Sequence, residues 1–254
     1  MSNNSKEDMD QGKEFTSNPI ERQSDHDVRL EECRDGSHTL YSEKFGQFYH
    51  NPNGAIAESW HIFFDQSNLR ERLAAHEPVR ILEVGFGTGL NLLLLCDLMA
   101  RVGSRSEVVF QSVEAWPVSA QIVVQFNYAG FLEAFDGASR LVGIFEQLGS
   151  GSVDMEFTEK VRVRVHRGLF ESMNPVETGF QYVFHDAFSP GVNPDLWTVE
   201  VFERIYGWCE DGAWLTTYCA ATRARNAMRQ AGWEVNKAPG ALGKREMTIA
   251  RKPV

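Results

Sequence analysis

The sequence has no apolar run near the roughly 18 to 20 residues of a membrane-spanning helix, so no membrane partner is expected. Its opening stretch, MSNNSKEDMDQGKEF, lacks the apolar centre of a secretion signal, and a cytoplasmic location is expected. Cysteine is scarce. Cys33, Cys96, Cys209 and Cys219 are scattered without a C-x-x-C pair, which argues against a zinc site or a disulfide framework and for buried reduced thiols. Basic residues are also in deficit, the net charge being −10. That balance argues against a surface built wholly for phosphate. The deficit is uneven, however. Residues 218–254 hold eight Lys or Arg against Glu234 and Glu246, a local +6 that leaves −16 for the rest. On charge alone, this basic end is equally the solvated face of a helix and a hairpin.

What is present suits a packed α/β protein. Hydrophobic residues make up 43% of the 254, and the length fits one large domain with appendages or two small ones. Residues 1–26 are polar and without apolar periodicity, the composition of a disordered tail. Residues 27–78 read as an N-terminal extension. It begins with a hairpin, VRLEECRDGSHTLYS, whose Asp35-Gly36 pair supplies a tight turn. A turn-rich stretch at 51–54 follows, then helical or mixed structure with Trp60, Phe63 and Phe64 on apolar faces.

From residue 79 strands alternate with helices. Strands are predicted at 79–84, 108–113, 161–166, 181–185 and 213–218. Helices are predicted at 90–99, up to about 127, and at 193–209 and 222–231, with 131–157 helical or irregular. Two strands at 233–236 and 247–251 close the chain across a loop too short for a parallel crossover, so one edge strand should be antiparallel. The pattern predicts a Rossmann-like fold over 79–254, a mostly parallel sheet covered on both faces.

The stretch ILEVGFGTGLNLLLL carries the first chemical signal. Gly85, Gly87 and Gly89 follow a buried strand and open a helix, so backbone can approach a ligand and helix N–H groups can point at it. The dinucleotide fingerprint G-x-G-x-x-G needs glycine at 90, which is Leu, so a nicotinamide oxidoreductase is disfavoured. The spacing G-x-G-x-G, preceded by Glu83, suits S-adenosylmethionine in a doubly wound sheet. Glu114 ends the second strand, where a carboxylate can accept from ribose hydroxyls. A second constellation, YVFHDAFSPGVNPDLW, ends an apolar strand at Asp186 on the same sheet edge. Asp186-Ala-Phe-Ser-Pro is similar to the Asp/Asn-Pro-Pro-aromatic loop by which amino-methylating enzymes grip a nitrogen nucleophile.

With DGSHTLYS, YHNPNGAIAESWHIFF, EVGFGTGLNLLL, FHDAFSPGVNPDLW and GALGKREMTIAR in view, the chain resembles the methyltransferase domain of MnmC-type tRNA-modifying enzymes over residues 35–251. The resemblance implies a stand-alone form without the FAD-binding oxidoreductase domain. It implies methylation of the aminomethyl group on a wobble uridine of tRNA, with S-adenosylmethionine as methyl donor and neither metal nor FAD. A separate oxidoreductase and the upstream tRNA-modification enzymes are the protein partners this suggests. Asp186 would hold the amine, with Phe188 as a π face for the cation or as packing of the turn. Cofactor contacts are expected from Glu83, the three glycines, Asn91, Glu114, Gly168 and Asp186, and by family likeness from Glu58. Arg223, Lys244 and Arg245 would meet tRNA phosphates, with Glu246 paired to one of the last two. One departure is Gly168-Leu169 where family members often carry Gly-Asp, which leaves adenine to backbone or a nearby polar side chain. A small-molecule amine methyltransferase of the same fold and a catalytically silent α/β scaffold are the rival readings.

Overall fold

The computed structural model describes residues 27–254, so the expected tail at 1–26 lies outside the described residues. The extension begins with β1 (Val28–Glu32), β2 (His38–Ser42) and β3 (Gln47–Phe48), a small antiparallel sheet. Its first turn is wider than a two-residue hairpin, since Glu32 pairs with His38. Gly36 supplies the positive φ of 82° and donates to the Cys33 carbonyl. After α1 (Ala55–Ser59), a π-helical turn runs over Trp60–Phe64, marked by Asp65 N–H donating to Trp60 O. Next comes α2 (Leu69–Ala74).

The larger part follows as β4 (Val79–Val84), α3 (Leu90–Arg101), β5 (Val108–Glu114), α4 (Ala120–Val123), α5 (Leu141–Leu148), β6 (Val153–Glu156) and β7 (Val161–Arg167). It continues through β8 (Phe180–His185), α6 (Val199–Trp208), β9 (Cys209–Thr217), α7 (Thr222–Gln230), β10 (Glu234–Pro239) and β11 (Glu246–Arg251). The eight-stranded sheet has the order β10-β11-β9-β8-β4-β5-β7-β6, parallel through its five central strands. β4 and β8 lie at its centre and read as near-continuous apolar runs because both faces are covered. Leu92 to Leu95 of α3 are all buried. Each such leucine contributes about 1.5–3 kcal/mol of burial.

The Rossmann-like expectation holds, with four local corrections. The antiparallel strand of the closing pair is β11, held one place in from the edge between β9 and β10. A second antiparallel strand, β6, ends the other edge where helical or irregular structure was expected. Its acids face the arginines of β7: Asp154 lies 2.7 Å from Arg162 and 3.3 Å from Arg164. Four residues with alternating acids give too short a period for the sequence to reveal. The helix expected at 193–209 is broken, because Thr198 is extended and caps α6, accepting from Val201 N–H. The helix expected to reach about 127 stops at Val123. Asn127 serves the hairpin instead, accepting from His38 N–H (2.9 Å) and donating to Gly36 O (2.7 Å).

The extension is fastened to the sheet. Phe63 and Phe64 pack their rings on Phe184 of β8, at centroid distances of 5.1 and 5.4 Å. Tyr182 donates its hydroxyl to Asn68 (2.9 Å). All four cysteines are free and buried. Among the described residues no helix is long and apolar enough to cross a membrane.

Candidate active site

Strand register brings the chemistry-bearing residues to one place. Val84 of β4 pairs with Val113 of β5 and with His185 of β8, and Val113 pairs with His166 of β7. Gly85, Glu114 and Asp186 therefore leave the carboxyl edge side by side, with Gly168 one step beyond Arg167. This is where open α/β sheets hold ligands. All four line a cavity of about 190 Å³, with Phe86, Gly87, Thr88 and Asn91 from the loop and the start of α3.

Gly85, Gly87 and Gly89 have φ of 98°, 53° and 75°, a region that side chains enter only at a cost. A Cβ on Gly85 would stand 2.9 Å from the Asp186 carbonyl oxygen, and one on Gly89 would meet Leu141 at 2.6 Å. The first glycine thus lets two site strands approach. The third packs the start of α3 against α5 and is not among the residues lining the cavity. Between them, Gly87 donates its N–H to Glu114 Oε2 (2.9 Å), while Glu114 Oε1 accepts from Trp116 N–H (2.8 Å). Burial raises the Glu114 carboxyl above its usual range against these bonds.

Asp186 follows β8 and faces the cavity. Burial first, and then the nearby Glu58 carboxylate, push its carboxyl well above the ordinary carboxylate range; Asn91 and Lys244 pull the other way. Phe188, two residues on, lines the cavity and packs edge to face on Tyr49 (5.0 Å) and tilted on Phe45 (4.8 Å). Its ring therefore both closes the turn and presents a surface to the site.

Other expected contacts are displaced. Glu83 lies behind the wall, 1% exposed, because Asn91 and Ser112 occupy its two oxygens at 3.0 and 2.8 Å. Glu58 is likewise off the wall. It accepts from Asn51 N–H (2.7 Å) and holds Lys244 Nζ at 2.6 Å, clasping the β10–β11 loop to the extension. Lys244 is consequently not a free cation, and its ammonium also stands 4.8 Å over the Tyr218 ring. Glu246 pairs with Arg225 (2.9 Å) and Lys237 (3.0 Å), not with Lys244 or Arg245. Arg223 and Arg245 remain exposed and form no ion pair among the described residues. With Lys244 they line a second, open groove whose wall includes Ser189, Pro190 and Gly191, just beyond Asp186.

Sequence reasoning passed over Phe45, Tyr49, His50, Trp116, Glu171 and Asp195, all on the cavity wall. Trp116 was within reach, two residues after Glu114. Glu171 is an acidic side chain close to Gly168-Leu169, where the expected family Asp is absent. The aromatic residues of the extension gave no local signal, since only the tertiary fold turns them onto the site.

The sheet order and the positive-φ glycine loop beside Glu114 have the Rossmann-like fold of class I S-adenosylmethionine-dependent methyltransferases. A family profile described as S-adenosyl-L-methionine-dependent methyltransferase matches residues 135–253. It is 32% identical over 213 residues to the tRNA 5-methylaminomethyl-2-thiouridine biosynthesis bifunctional protein MnmC of Campylobacter hominis, covering 83% of this chain and 31% of that protein. It is 31% identical over 217 residues to the MnmC of Cupriavidus metallidurans, covering 84% and 32%. The chain thus spans about a third of the length of the curated relatives it matches. The crystal structure of MNMC2 from Aquifex aeolicus superposes with a TM-score of 0.73 at 25% identity, covering 93% of this chain and 73% of that one. The MnmC-type resemblance read from the motifs is borne out.

Proposed function

We propose that this protein transfers a methyl group from S-adenosylmethionine to the aminomethyl group of a wobble uridine in tRNA, 5-aminomethyl-(2-thio)uridine becoming 5-methylaminomethyl-(2-thio)uridine. Residues 79–254 form the methyltransferase domain in this reading, and 27–78 its covering extension. The observation that carries it is the meeting, in one cavity, of the glycine cradle, Glu114 and an acid that ends β8 in the Asp-Ala-Phe-Ser-Pro loop. The names of the MnmC relatives supply the substrate class.

The residues present fit the cofactor. Gly85 and Gly87 leave backbone without side chains against the cavity, and Glu114 offers carboxylate oxygens for two hydroxyls. S-adenosylmethionine supplies a sulfonium-bound electrophilic methyl when it is held there. The remaining work is positioning, worth several kcal/mol of barrier when geometry is held. Asp186 accepts a hydrogen bond from the neutral amine and turns its lone pair toward the methyl. Because its carboxyl is raised, its basicity lies nearer working pH, and it takes the proton the amine sheds after transfer. Phe188 and Tyr49 present rings beside the positive charge. Arg223 and Arg245 offer guanidinium groups to backbone phosphates along the groove walled by Ser189, Pro190 and Gly191.

The test is to incubate the protein with isotope-labelled S-adenosylmethionine and bulk tRNA from cells lacking the modification. Label should enter tRNA as methylaminomethyluridine, and Asp186→Asn should lower the rate by about 10²-fold or more. Label that enters small amines and never tRNA would transfer the assignment to a small-molecule methyltransferase.

A further inference from the structure

From Asp186 and Asn91 on the cavity wall, a chain of hydrogen bonds runs back into the core. Ser112 Oγ donates to Glu83 Oε2 (2.8 Å). Asn91 Nδ2 donates both to Glu83 Oε1 (3.0 Å) and to Asp186 Oδ2 (3.1 Å). One amide group, near the start of α3, thereby joins two carboxyl groups with one hydrogen to each. Asn91 is 3% exposed and Glu83 1%.

Two features set Asn91 apart from a packing residue. Its Oδ1 is buried and finds no partner among the described residues. That orphaned oxygen is a cost an apolar side chain of similar volume would avoid. In addition, Asp186 Oδ1 accepts no hydrogen bond from the described residues, whereas Oδ2 accepts from the amide.

We propose that Asn91 is the positioning residue of this site, fixing the Asp186 carboxyl by Oδ2 so that Oδ1 is presented to the methyl acceptor, with Glu83 and Ser112 anchoring the amide from behind. The proposal rests on the methyltransferase reading above. Asp186 is also faced by Glu58 from α1, Lys244 from the β10–β11 loop, Tyr218 beyond β9 and Glu83 from β4, so the test must separate the amide from these charges.

Asn91→Leu keeps the volume and removes the donor. Its kcat should fall about tenfold to a hundredfold, the loss of a hydrogen bond to a charged group, and by more than any rise in KM for S-adenosylmethionine. The acid limb of kcat against pH should move to higher pH, since the amide bond draws the Asp186 carboxyl downward. Carbon-13 NMR titration of the Asp186 carboxyl, identified by its loss in Asp186→Asn, reads the shift without any substrate. Failure of the tRNA assignment is therefore distinguishable from failure here. Should Asn91→Leu not fold, the same titration of Asn91→Ala carries the test. An unmoved Asp186 midpoint in these variants, or a rise in KM for S-adenosylmethionine with an unmoved pH profile, overturns the proposal.

Discussion

Among single side chains, burial decides which groups carry charge around the site. His185 precedes Asp186 and is fully buried, its ring 4.4 Å from that of Trp197. Its Nε2 meets the Leu196 carbonyl at 3.0 Å, while Nδ1 has no partner among the described residues. Burial lowers its pKa to about 4 from 6.5. The folded state therefore resists a proton that the unfolded chain binds first, so the stability due to this residue is complete above pH 6.5 and is lost as pH falls toward 4. The loss is about 3 kcal/mol, at 1.36 kcal/mol per pH unit. The raised carboxyls of Glu83, Glu114 and Asp186 act with the opposite sign, gaining stability as pH falls. The difference between wild type and His185→Phe isolates the histidine. Urea unfolding at pH 7.5 and 4.5 should show a smaller drop in the variant; equal drops would contradict neutral burial of His185.

For the elements, the loop between β4 and α3 divides its labour among three glycines, and the division is testable. Gly85→Ala would drive a methyl toward the Asp186 backbone, 2.9 Å away, and should abolish cofactor binding by calorimetry. Gly89→Ala clashes with the end of the Leu141 side chain and forces φ 75°, so it should chiefly lower stability, by about 1–3 kcal/mol. Equal effects of the two on affinity would contradict the division. Much of this was legible in the sequence. β4 was placed to the residue because a buried parallel strand reads as an unbroken apolar run, and Glu114 and Asp186 were placed by the ends of such runs. What escaped was set by tertiary contact. Nothing local says that Glu58 clasps Lys244, that Glu83 lies behind Asn91, or that Phe45 and Tyr49 fold over the site. β6 escaped because ion pairs with β7 hold a strand too short to show a period.

Across the whole molecule, a chain of net charge −10 presents Arg223 and Arg245, which form no ion pair among the described residues, beside the loop that follows Asp186. Arg223→Ala with Arg245→Ala should weaken tRNA binding and reduce the slope of log affinity against log salt by about 2, leaving affinity for S-adenosylmethionine intact. Lys244→Ala should act differently, lowering thermal stability by releasing Glu58. An unchanged salt slope in the double variant would take tRNA off this groove. The proposed transfer depends on the cavity at the carboxyl edge being the place where methyl donor and acceptor meet. A crystal structure with S-adenosylhomocysteine tests that most directly. The prediction is that the ribose lies against Glu114, backbone of the glycine loop lies along the ligand, and the sulfur faces the side of the cavity held by Asp186. A ligand bound elsewhere, or an Asp186 carboxyl turned away from the sulfur, would contradict it.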